Sequence, residues 1–252
     1  MSTDELVLEN ADFVYSHSSE FTEEIVRRIP RRLIDSLDQG KEGFFDEFRQ
    51  PMPKFYKALI ENVDHVYLME NINVYIRPNN SRKETKYYRW GFQCMNKLIT
   101  SEIPLELSEI IKTMEEQEYL PCIPPELHCF YKKTDGMTIT DEFGVNGFDL
   151  PVDSNDWFEV YDYFIEQRTE YNISMTDVRN LYKEFANGKL KILFQGSLRD
   201  VIFFDFSAKD RKLYHIKNYN LSDYQLIKNA PQVLDSYFAN AVLGFPQHIN
   251  LS

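Results

Sequence analysis

The sequence predicts an α+β fold in which an antiparallel sheet is flanked by helices. Three observations lead to it. Apolar residues recur at helical spacing in residues 22–62 and again in 229–244. Over residues 66–95 the pattern turns to β-branched and aromatic residues on either side of a polar tip. Over residues 189–218 three strand-like runs are joined by connections too short for a parallel crossover.

Residues 1–17 are acidic and weakly patterned, a short strand or a tail. Thr22 can cap a helix whose first turn carries Glu23 and Glu24, with Gly40 as its stop. Pro30 has no amide for the helical ladder, so it should kink or split that helix. A second helix follows, firm after Pro53, with Phe55, Leu59 and Ile60 at helical spacing. "HVYLMENINVYIRP" and "YYRWGFQCM" then read as a hairpin with a basic tip. A helix over "PLELSEIIKTMEEQE" comes next.

"IPPELHCFYKKTDGMTI" starts on prolines suited to a first helical turn. Leu127, Phe130 and Tyr131 share a face, Gly136 ends the helix, and "MTI" begins a strand. An acidic loop leads to a helix in "DWFEVYDYFIEQ", with Trp157, Val160, Tyr161, Phe164 and Ile165 inward. "KLKILFQG", "LRDVIFFDFS" and "KLYHIKN" are strands, and "NAPQVLDSYFANAVLG" is the closing helix.

At 252 residues the chain suits one large domain or two small ones. The expected division is 1–100, helices plus hairpin, and 101–252, an α+β domain. A hydrophobic share of 43% and an aromatic share of 15% argue against global disorder. A formal charge of −12 disfavours direct binding to nucleic acid or to an anionic membrane. The charge is uneven: residues 135–170 hold ten acidic side chains and one basic one, Arg168. Three widely spaced cysteines imply no disulfide framework. No signal-like start is seen, and no apolar run nears the roughly 20 residues a bilayer span needs, so a cytoplasmic location is expected.

Motifs for chemistry are sparse. The histidines never pair at i, i+4, and His128 beside Cys129 would point two neighbouring helix positions about 100° apart. No metal, cofactor or catalytic residue is expected. The chain has neither a GxSxG elbow nor a phosphate-binding glycine loop. The basic hairpin could stack bases, but in so acidic a chain protein contact is the better reading.

The motif order from residue 105 onward resembles the SUKH superfamily, which includes the fungal cell-wall-assembly regulators and many bacterial immunity proteins. Ile123 and Pro124, then Phe130 and Tyr131, then Asp135 and Gly136 match its first motifs. Ile192, Leu193, Phe194 and Gly196 match its apolar strand and turn, and Phe203, Phe204, Asp205, Phe206 and Ser207 its "yyFDls" strand. Tyr237, Phe238 and Leu243 stand in its closing helix. The resemblance covers residues 103–245 and implies a non-enzymatic protein-binding scaffold. Bacterial members neutralise a toxin domain, which suggests an immunity protein whose acidic surface occludes a basic toxin, such as a nuclease. An adaptor of eukaryotic or viral origin with the same fold is the alternative. An enzyme using the acidic cluster at 141–162 is a third reading. Candidate partner-binding residues are Asp141, Glu142, Phe143, Asp149, Asp153, Asp156, Trp157, Phe158, Glu159 and Tyr161. Trp157 and Tyr161 also read as core residues.

Overall fold

The computed structural model describes residues 11–76, 82–94, 97–103, 129–130, 133, 135–141, 148–150, 159–185, 190–195, 198–205 and 212–244. Helices and antiparallel strands together make an α+β fold. Among the described residues, one sheet runs β1 Phe13–Tyr15, β2 Val63–Ile76, β3 Arg82–Cys94, β4 Lys97–Glu102, β5 Asp135–Asp141 and β6 Phe148–Leu150. A second sheet runs β10 Tyr224–Leu226, β9 Leu213–Ile216, β8 Val201–Asp205 and β7 Leu190–Gln195.

The first helical stretch breaks where Pro30 falls. In α1 Glu23–Arg28, the Thr22 hydroxyl accepts the Ile25 amide at 3.3 Å. Glu23 and Glu24 lie at the positive end of α1, Arg27 and Arg28 at its negative end. The Pro30 carbonyl then starts α2 Arg31–Leu37 by accepting from Leu33 at 2.9 Å. Gly40 follows in the left-handed region, φ +71°, and opens α3 Gly40–Phe45.

α4 Pro53–Asn62 begins on its proline, as the sequence predicts. Met52, just before it, offers no capping side chain. Asp235 supplies the cap from α7 Ala230–Val242: one oxygen accepts the Phe55 amide at 2.8 Å, the other the Lys54 amide at 3.2 Å. Lys97 makes the reverse contact at the other end of α7, where its ammonium donates to the carbonyls of Ala241 and Val242.

One hydrophobic cluster joins the helices of the first third, the hairpin, Leu193, Ile202 and α7. Trp90 and Phe92 of β3 meet Phe44 and Phe45 of α3 at ring separations of 4.9 and 5.1 Å. Phe55, Phe130 and Phe238 interlock beneath them. The expected division at 100/101 falls inside β4, and this cluster draws on residues from both sides of it.

The four-stranded sheet serves two cores. Leu190, Ile192, Val201, Phe203 and Ile216 face a second cluster with α5 Val160–Tyr171 and α6 Met175–Lys183. Leu193, Ile202 and Leu213 turn the other way, into the first cluster. The near-continuous apolar run of these strands is therefore the signature of a sheet buried on both faces.

Some expectations shift. Gly136 lies within β5, which starts at Asp135, because β4 offers that segment a pairing partner. The expected "DWFEVYDYFIEQ" helix starts later, at Val160, and runs on to Tyr171. Its buried residues are Val160, Tyr163 and Phe164, while Tyr161 and Ile165 are half-buried on its flank. The helix expected over 104–118 lies outside the described residues, as do His128 and Cys122.

Candidate functional site

α5 carries a row of negative charge. Asp162, Glu166 and Glu170 are exposed and spaced by four, so they stand one above another on successive turns. Like charges at that spacing oppose one another by a few tenths of a kcal/mol per pair. Helix stability therefore does not explain the row.

The N-terminal end of the row is anchored to the second sheet. Glu159, just before α5, forms an isolated backbone bridge with Lys191 of β7, and their side chains pair at 2.9 Å. The Tyr161 amide donates to the Tyr182 hydroxyl of α6 at 2.8 Å, and the two rings meet edge to face at 5.7 Å. Burial pushes the Tyr182 phenol far up, keeping it a neutral hydroxyl.

The C-terminal end of the row is strained. Among the described residues, four non-glycine residues adopt positive φ: Asn172, Arg199, Asn218 and Tyr219. All four sit at one corner, where α5 ends and the β7–β8 and β9–β10 connections meet. Asn172 ends α5 in the left-handed conformation, a common use of Asn. Arg199 and Tyr219 lack that local compensation and cost about 1 kcal/mol or more each.

Their surroundings hold them in place. The Tyr219 amide donates to the Arg199 carbonyl at 2.9 Å. The Asn218 amide donates to Asp200 at 3.2 Å, and the other Asp200 oxygen meets His215 Nε2 at 3.1 Å. Both side chains of that pair are buried. Above them the Tyr163 and Tyr219 hydroxyls bond at 2.6 Å. The Arg199 guanidinium lies 4.5 Å from the Tyr171 ring, which in turn meets Tyr219 at 4.9 Å. The row of carboxylates thus runs down to a corner of two tyrosines and an arginine, the side chains that anchor interfaces best.

The ten residues singled out in the sequence fare unevenly. Glu159 and Tyr161 flank the row, but both also tie α5 to its neighbours. Asp141 is registered with Lys97 and Asp149 with Thr138, at the β5–β6 side of the six-stranded sheet. Glu142, Phe143, Asp153, Asp156, Trp157 and Phe158 lie outside the described residues. Asp162, Glu166, Glu170, Tyr171, Arg199 and Tyr219 were not among the ten. The four-residue spacing could have revealed the first three, whereas the corner depends on strand register.

No family model matches the chain, and comparison with curated proteins and with solved structures also gave no match. The fold and this surface define an α+β protein. Among the described residues, no helix is long and apolar enough to cross a membrane.

Proposed function

We propose that the chain is a non-enzymatic protein-binding module that holds a basic partner against its acidic surface. The observation that carries this reading is the exposed row of Asp162, Glu166 and Glu170, ending at Tyr171, Arg199 and Tyr219. Negative potential speeds encounter with a positive face, and the rigid aromatic corner supplies the short-range contact. A strained turn held by buried bonds keeps that corner preformed, which lowers the ordering cost of binding. Occlusion of a toxin domain with a basic active site is the use that fits best, in an immunity protein acting in the cytoplasm. The SUKH resemblance supports the same use.

The test is affinity capture with the intact protein and with a variant carrying Asp162→Asn, Glu166→Gln and Glu170→Gln, read by mass spectrometry. A basic partner held by the first and released by the second, and released by salt, is the expected result. Equal capture by both, or turnover of a substrate by the purified chain, overturns the reading.

A further inference from the structure

Arg199 is strained, and its charge is unused inside the molecule. Its backbone lies in the left-handed region at φ +60°, where an arginine has no local compensation. Its exposed guanidinium rests over the Tyr171 ring at 4.5 Å. Among the described residues it makes no ion pair and no side-chain hydrogen bond. Other arginines do: Arg27, Arg28, Arg31, Arg49 and Arg82 each meet a carboxylate within 3.5 Å. The carboxylate row ends at Glu170, one residue before Tyr171, yet Glu170 and Arg199 do not pair.

The turn itself does not call for an arginine. It is held by the Arg199 carbonyl, which accepts the Tyr219 amide at 2.9 Å, and by Asp200, which accepts the Asn218 amide at 3.2 Å. Glycine would keep both bonds and remove the clash of the left-handed backbone with a Cβ. An exposed cation–π contact stabilises no more than that backbone costs. Strain that the fold does not need points to a role outside it. The guanidinium is suited to one. Resting on the Tyr171 ring, it leaves its planar fork of donors to solvent, and that fork matches the two oxygens of a carboxylate.

We propose that Arg199 sets the register of the partner on the acidic surface, by taking a carboxylate that the partner carries at the end of its basic patch. This rests on the basic partner proposed for the α5 row. Along Asp162, Glu166 and Glu170 a partner's carboxylate is repelled, and at Arg199 it is answered. A basic face with an acid at one end therefore fits in one direction, and the reversed or shifted arrangement sets like charges together. The row supplies attraction, which is long-ranged and blind to direction. Arg199 supplies the choice among the ways of docking.

The test uses two labelled peptides of alanine with lysine at every fourth position, one ending in a free carboxylate and the other in an amide. Each is titrated with the full chain at low salt and read by fluorescence anisotropy. The carboxylate peptide should bind about tenfold tighter, the value of a charge-assisted hydrogen bond, although it carries less positive charge. Arg199→Gly should erase that ratio and melt no lower than the parent chain. Arg199→Lys keeps the charge but not the fork, and should keep only part of the ratio. The Asp162→Asn, Glu166→Gln, Glu170→Gln variant should weaken both peptides alike and leave the ratio intact, so that loss of the row and loss of the anchor read separately. If that variant binds as the parent does while the ratio still depends on Arg199, the row fails and the anchor stands. The proposal is overturned if neither peptide binds, if both bind alike, if the amide binds tighter, or if Arg199→Gly keeps the ratio. A clear fall in melting temperature for Arg199→Gly assigns the arginine to the fold and overturns it as well.

Discussion

The two sheets bury their carboxylates in different company. In the six-stranded sheet Glu70, 1% exposed, meets the Lys86 ammonium at 2.7 Å and accepts from the Tyr15 hydroxyl at 2.9 Å. Those partners join three neighbouring strands in regular register. In the four-stranded sheet Asp200, 0% exposed, meets His215 and the Asn218 amide, and so bends a connection into left-handed backbone. The same chemical group thus serves regularity in one region and irregularity in the other. Polar burial costs several kcal/mol unless it is answered by bonds, so both sites must be specified closely. Only the second shapes a surface.

The sharpest way to break the contrast is Asp200→Ala. It strands His215 in the core, frees the Asn218 amide and releases the turn, and should cost about 4 kcal/mol in urea unfolding. Glu70→Gln should cost less, about 2 kcal/mol, because Lys86 is partly exposed and can turn to water. If the two losses come out equal, the distinction between the regions fails.

Next in size is a titration. Lys133, 2% exposed, lies 4.6 Å from the Phe44 ring centre and donates to Ser36, and burial lowers its pKa to about 8. Its unfolded value is 10.5, so the folded state sheds its proton first. Below pH 8 both states are charged and the fold carries the whole cost of the buried ammonium. Between pH 8 and 10.5 stability should rise, by on the order of 3 kcal/mol. Chemical denaturation across that range, with Lys133→Met as the flat reference, measures it.

Asp235→Ala should cost about 2 kcal/mol by thermal melting, since two helix amides lose their acceptor. Replacing Asp162, Glu166 and Glu170 by amides should change stability least, raising it by about 0.5 kcal/mol as like-charge repulsion is relieved. A loss there would mean that the row supports the fold as well as a surface.

Much of the fold was legible because its signals are local. Pro30 split a helix, Pro53 started one, and the change of period from Val66 onward marked the hairpin. Short turns set β7, β8 and β9 antiparallel. Strand β4 was hidden, since "KLITSE" is short and runs straight into a helix-like stretch. Helix α6 was missed because only Val178 and Leu181 of its nine residues are buried, too narrow a stripe to stand out. At the candidate site, the acidity around residues 135–170 was visible, and so were Glu159 and Tyr161. The corner was not: Asp200 meets His215 only because β8 and β9 pair with Ile202 opposite His215. Register of that kind comes from packing two cores at once.

The cap that Asp235 places on α4 bears on how the molecule is made. The carboxylate and the Phe55 amide it accepts are 180 positions apart. A ribosome releases α4 long before α7 emerges. Until then the first turn of α4 has only water for its amides, and Phe55 waits without Phe238. Assembly of this half of the molecule is therefore a late event, closed only once α7 has left the exit tunnel.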